Sequence, residues 1–177
     1  MALVALLRGV NVGGHRRIRP TKLAEQLSHL GAVNLGAAGS FVVRRRVSQA
    51  QLRAEIERRL PVQTEIVICR DREIGRLLSR DFFAGVRVRP DEVRFVSLLS
   101  KLPRSAPRLP LRVPLRGKWR IKVLARDGRF VVGVYRRHME VIGCLGTLDR
   151  LFGVTLTTRN WNTITAIGRV LDSGATS

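Results

Sequence analysis

Long apolar runs are missing from this 177-residue chain. No stretch approaches the ~18 residues of a membrane-spanning helix, and Arg8 breaks the opening run Ala2 to Leu7 before it reaches the ~7–15 residues of a secretory core. A cytoplasmic protein with no membrane contact is therefore expected. Cysteine is nearly absent too: Cys69 and Cys144 are far apart and make neither a CxxC pair nor a disulfide ladder. Two reduced, buried thiols are expected, with little basis for metal or redox chemistry and no cofactor. Carboxylates are the third scarcity, 13 Asp and Glu against 33 Lys and Arg, a net charge of +20. GC-rich codons account for arginine outnumbering lysine. They do not account for the missing acids, since Asp and Glu codons are GC-rich as well, so the imbalance points to polyanionic partners.

What is present suffices for a core, because 45% of the residues are hydrophobic and the length allows one ordinary domain or two small ones. The charge forms no tail: residues 1–90 hold 17 cations and 7 carboxylates, residues 91–177 hold 16 and 6. Such a surface is expected to bind nucleic acid at least non-specifically, with affinity falling steeply as salt rises.

Local patterns divide the chain into two similar halves. Ala2 to Leu7 reads as a buried strand that runs into Arg8-Gly9-Val10-Asn11-Val12-Gly13-Gly14, where glycines permit backbone angles that a Cβ forbids. Helical spacing of Leu23, Leu27 and Leu30 predicts a helix from about Thr21 to Leu30, with Pro20 at its start and Gly31 at its end. A short strand fits near Val33 to Leu35, and Phe41 to Val43 marks another. Ser48 and Gln51 form a capping box ahead of Leu52, Ile56 and Leu60. Thr64 to Cys69 is β-rich, and Asp71 caps a segment with Ile74, Leu77 and Leu78 on one side. Gly85 to Pro90 marks a boundary, giving domains 1–88 and 89–177.

The second half opens with a strand at Val93 to Leu99. A link at 102–114 follows whose four prolines exclude an ordinary helix. Lys118 to Leu124 alternates, with Trp119, Ile121 and Val123 on the dry side, and Asp127-Gly128 turns it into a hairpin with Phe130 to Tyr135. Leu145, Leu148, Leu151 and Phe152 predict a helix stopped by Gly153. A last strand at Thr155 to Thr158 and a final helix capped by Asn160 or Asn162, with Ile164, Ile167 and Leu171 inward, complete the order. Both halves follow a split β-α-β plan, so the expected class is α+β with two ferredoxin-like lobes and antiparallel sheets.

Few segments carry chemistry. Gly9 and Gly14 match the outer glycines of G-x-x-x-x-G-K-[ST], but His15 and Arg16 replace the lysine and the hydroxyl residue, and Asn11 breaks G-x-G-x-x-G. Nucleotide hydrolysis is not expected there. Anion binding by loop amides stays open against a purely structural connector, since Arg8, His15, Arg16, Arg17, Arg19 and Lys22 lie nearby. The run Thr157 to Thr163 surrounds Trp161 with hydrogen-bonding groups. Trp161 reads first as a core anchor and Asn160 and Asn162 as caps, yet Arg159 beside a helix start also makes an anion site. His15, His29 and His138 are isolated, no G-x-S-x-G elbow exists, and the pairs Glu55/Glu57 and Asp91/Glu92 lack the spacing of groups sharing a helix face. Phe41 to Arg46 lacks the aromatic pattern of an RNA-reading strand, and Lys118, Arg120 and Lys122 suit phosphate rather than base contact.

Taken together, Leu6-Leu7-Arg8-Gly9-Val10-Asn11-Val12-Gly13-Gly14 and Thr158-Arg159-Asn160-Trp161-Asn162-Thr163 resemble the bacterial family catalogued as domain of unknown function 1697. The resemblance implies two ferredoxin-like lobes and no established activity. It marks Arg8, Asn11, Gly13 and Gly14, with Arg159, Asn160, Trp161 and Asn162, as signature positions. This chain departs from that pattern at Ala37-Ala38-Gly39-Ser40, where the family reads like Q-S-G-N, in the proline-rich link standing for a helix, and in its charge. The leading expectation is binding of an anionic small molecule or nucleic acid at those eight positions, with the two segments facing each other. The alternatives are an enzyme for a small phosphorylated or carboxylated substrate using His15 or His138, and a structural or oligomerising module without ligand.

Overall fold

The computed structural model describes residues 1–10 and 18–174. The chain is α+β, with two antiparallel sheets in two compact units, Met1–Leu78 with Asn162–Ser177 and Ser79–Trp161. The unit boundary at the start falls near Leu78, and the C-terminal helix is counted with the first unit.

In the first unit β1 (Leu3–Leu7), α1 (Pro20–Gln26), β2 (Ala32–Asn34), β3 (Ser40–Val43), α2 (Gln49–Glu57) and β4 (Ile66–Arg70) follow the split β-α-β order. The sheet runs β2-β3-β1-β4, the ferredoxin-like strand order. Leu3, Ala5 and Leu7 of β1 join Leu23 and Leu27, Leu52 and Ile56 in one core, as the helical spacing requires. Val4 and Leu6 point the other way and are equally buried, so β1 is dry on both faces. The predicted first helix is shorter than its apolar spacing implies: α1 stops at Gln26 and a 3-10 turn covers Ser28–Leu30. The Ser48/Gln51 capping box forms in both directions, at 3.1 and 3.0 Å. After β4, α3 (Asp71–Leu78) and α5 (Trp161–Ser173) complete this unit, and Gly168 lies against the Leu78 side chain.

The β3 entry uses one glycine for a steric reason. Gly39 has φ +74°, and a Cβ there would stand 3.0 Å from the fully buried Leu7, whose N–H donates to the Gly39 carbonyl at 2.8 Å. Gly39→Ala is expected to lower stability by about 1–3 kcal/mol, read as a fall in the urea midpoint at constant slope. An unchanged midpoint would refute this account of the Gly39–Leu7 contact.

The second unit repeats the plan with one substitution. Its strands are β5 (Glu92–Leu99), β6 (Leu111–Val113), β7 (Ile121–Asp127), β8 (Phe130–Arg136) and β9 (Leu156–Asn160), in the order β6-β7-β8-β5-β9. Without β6 this is the ferredoxin-like order again. The proline-rich link stands where the first crossover helix would be and adds three residues as an edge strand, a position that tolerates flanking Pro110 and Pro114. The expected hairpin closes between Asp127 and Phe130. Strand β7 begins at Ile121, later than the alternation predicts, and Trp119 precedes it, with the Arg136 guanidinium 3.9 Å from its ring. Helix α4 (Val141–Phe152) packs Leu148 and Phe152 on Phe95, Leu99, Ile121 and Val123, and ends at Gly153 as predicted.

The thiols differ from expectation in one respect. Both cysteines are free and Cys69 is buried, but Cys144 on α4 is partly exposed.

Candidate functional site

Strand β9 is an edge strand, and its register on β5 assigns a face to each residue. Leu156 and Thr158 lie opposite Leu99 and Ser97, on the α4 side, where the Ser97 and Thr158 hydroxyls share a 2.6 Å hydrogen bond. Thr157 and Arg159 alternate onto the other side, opposite Leu98 and Val96. The polar run that reads as a turn in sequence is thus a strand end followed directly by a helix. Arg159 and Asn160 close β9, and Trp161 and Asn162 open α5.

Arg159 is buried, only 7% exposed. Its Nη1 donates to the Thr158 carbonyl at 2.8 Å, and desolvation lowers the guanidinium to about 10. Two positions earlier on the same face, the Thr157 hydroxyl is buried and has no hydrogen-bond partner among the described residues. A buried hydroxyl left unmatched costs about 1–3 kcal/mol. Two adjacent polar groups on one sheet face therefore carry a burial cost, a pattern that belongs to sites more than to cores.

Sequence reasoning did not single out two residues beside this junction. Phe83 receives Trp161 edge-on, with centroids 5.1 Å apart and planes at 76°. The same Phe83 ring lies 4.9 Å from the Arg94 guanidinium. Arg94 stands two residues before Val96 on β5, so it shares the sheet face of Arg159. Its signal in the sequence was an arginine on the apolar alternation Arg94, Val96, Leu98, a face that single-sequence reading left unassigned.

The opening motif is divided differently. Asn11, Gly13 and Gly14, with His15, lie outside the described residues. Arg8 follows β1, its N–H donating to the Glu65 carbonyl at 2.9 Å and its Nη1 lying 3.5 Å from Glu65 Oε2. Thus Arg159, Asn160 and Trp161 meet at one junction of the second unit, while Arg8 and Asn162 belong to the first. Where the chain re-enters at Ile18, a hollow of about 260 Å³ is lined by Arg19, Lys22 and Arg59. Arg59 is held by Glu55 at 2.6 Å, whereas Arg19 and Lys22 have no carboxylate partner among the described residues.

Groups for proton transfer are poorly placed. His29 is exposed and lies 3.4 Å from Glu55. Burial opposes ionisation of Glu55, but the hydrogen bond from Arg59 and the charges of Arg58, Arg59 and His29 outweigh it and keep the carboxyl below its usual range. His138 Nδ1 accepts from the Glu140 N–H at 3.2 Å, and the hydrogen bond and charge of Arg120 hold the Glu140 carboxyl low. Glu140 is therefore an ionised ion-pair partner at neutral pH, unsuited to act as an acid. Among the described residues no group of three or more His, Cys, Asp or Glu side chains could hold a metal ion, and no helix is long and apolar enough to cross a membrane.

The fold has a counterpart among solved structures. The conserved bacterial protein SP0830 from Streptococcus pneumoniae superposes with a TM-score of 0.61 over 96% of this chain and 98% of that one, at 17% identity. That likeness concerns the fold alone. No curated protein matches the chain. A family model described as "Protein of unknown function (DUF1697)" matches residues 1–122, a span that holds the Arg8 to Gly14 motif and ends before Thr158. With more than half its length matched, and the opening motif inside the match, the chain belongs to the DUF1697 family.

Proposed function

We propose that this protein binds an anionic ligand, a phosphate-bearing metabolite or nucleic acid, in the cytoplasm, with Arg159 as the central contact. The observation that carries the reading is the desolvated guanidinium of Arg159 on β9. A guanidinium kept out of water forms stronger charge-assisted hydrogen bonds to phosphate oxygens than an exposed one, and it offers them in pairs. The neighbouring Thr157 hydroxyl supplies a further donor. Arg8 and the 9–14 segment keep their expected role as a second set of anion contacts, beside the Arg19 and Lys22 hollow. The surrounding +20 charge draws the ligand in.

Because so basic a surface holds any polyanion loosely, a small ligand is the proper probe. Titration with pyrophosphate by calorimetry, at an ionic strength near 0.15 M to screen exposed charges, is expected to saturate for the native chain. In Arg159→Met the affinity is expected to fall by tenfold or more. Equal affinity in the two proteins would end the proposal.

A further inference from the structure

The residues around Arg159 specify what the anion is attached to. Phe83 is buried, at 8% exposure, between two partners: the edge of Trp161 at 5.1 Å and the guanidinium of Arg94 at 4.9 Å. The result is a layered stack of a planar cation and two aromatic rings, with Arg94 outermost. Arg94 is exposed, and no carboxylate lies within 4 Å of it among the described residues. One face of its guanidinium is spent on Phe83, which leaves the other toward solvent. Guanidinium planes and aromatic rings are the groups on which unstacked bases lie. An isolated surface arginine gains nothing from being stiffened against a ring, whereas a stacking platform needs that rigidity.

The spacing fits one ligand class. Val96 is directly opposite Arg159 in the β5–β9 register, and Arg94 is two residues along on the same face. Diagonal neighbours of this kind are about 7–8 Å apart, comparable to the reach from a base to its own 5′-phosphate. We infer that Arg94, Phe83 and Trp161 form a base-stacking platform and that Arg159 takes the phosphate, so that the bound unit is a nucleotide. The inference rests on the anion-binding reading above and adds the base to it.

Three probes separate the two claims on the native chain: ribose 5-phosphate, adenosine 5′-monophosphate and a short oligoadenylate, titrated by calorimetry near 0.15 M salt. The monophosphate is expected to bind about tenfold more tightly than the sugar phosphate, the contribution of one stacked base. Arg94→Lys retains the charge but not the plane, and it is expected to bring the monophosphate down to the level of ribose 5-phosphate while leaving the latter unchanged. Trp161→Leu, on the rim of the stack, is expected to act in the same direction. Should ribose 5-phosphate and the monophosphate bind the native chain equally, the nucleotide inference fails and anion binding stands. If neither binds, both fail. Tighter binding of the oligoadenylate than of the monophosphate assigns the nucleotide unit to a strand, and equal binding assigns it to a free nucleotide; both results support the platform.

Discussion

Gly133→Ala is expected to prevent the second unit from folding. Gly133 lies in the middle of β8, opposite Phe95 on one side and Val123 on the other. The β7 strand shifts register between Val123 and Ala125, an irregularity that brings the Lys122 carbonyl over the Gly133 Cα. A Cβ built there collides with that carbonyl oxygen and stands 2.9 Å from Phe95 Cε1. Neither neighbour can yield cheaply. The carbonyl belongs to the ladder, and Phe95 is fully buried in the core under α4. The cost exceeds the ~1–3 kcal/mol of ordinary overpacking and takes up much of the ~5–15 kcal/mol that holds a domain together. Far-UV circular dichroism and proteolysis should show loss of the β-rich half. A soluble alanine variant melting within 5 °C of the native protein, a shift of about 1 kcal/mol for a domain of this size, would exclude the proposed clash.

Arg159→Met is expected to raise stability. The folded guanidinium is lowered to about 10 against 12.5 when free in water, and at 1.36 kcal/mol per unit that is a burial cost of about 3 kcal/mol. The bond to the Thr158 carbonyl offsets part of it, so a net gain of about 1–3 kcal/mol is expected from a side chain of similar length without charge. The sign with pH follows. Below pH 10 the group is protonated in both folded and unfolded chains, and the folded state carries the whole cost. Above pH 10 the folded state releases the proton first, so the native protein gains on the variant as pH rises toward 12.5. Urea midpoints of both proteins at pH 7 and pH 10.5 measure this. A variant less stable than the native chain at pH 7 would make Arg159 a structural tie and remove the main support for ligand binding. A variant that gains stability and loses pyrophosphate binding would display the exchange of stability for function seen at strained sites.

Much of this architecture was legible where a local rule and the tertiary environment agree. Ser48 and Gln51 make their reciprocal cap, Asp127-Gly128 makes its hairpin, and Gly153 ends α4, because each depends on a few neighbouring residues. The strand β6 was hidden because prolines at 103, 107, 110 and 114 outweigh a three-residue run, and only pairing with β7 reveals it. The Thr157 to Thr163 segment read as a turn because its residues are polar. Alternation then places Thr157 and Arg159 on a buried face, which no polarity scale anticipates. The signature arginine could be named from sequence, but its desolvation could not, since that is a property of what surrounds it. Arg94 and Phe83 join Trp161 only through pairing and long-range packing, and no spacing in the chain announces them.

The proline-flanked β6 has a further consequence for the molecule as a solute. As the outermost strand it presents only Leu111 to Val113 along that border. So brief a row of amides, ended by a residue that cannot donate, gives an incoming chain almost nothing to zip onto. With an intense like charge on every copy to keep them apart, that side of the second sheet is closed to amyloid-style growth even at high concentration.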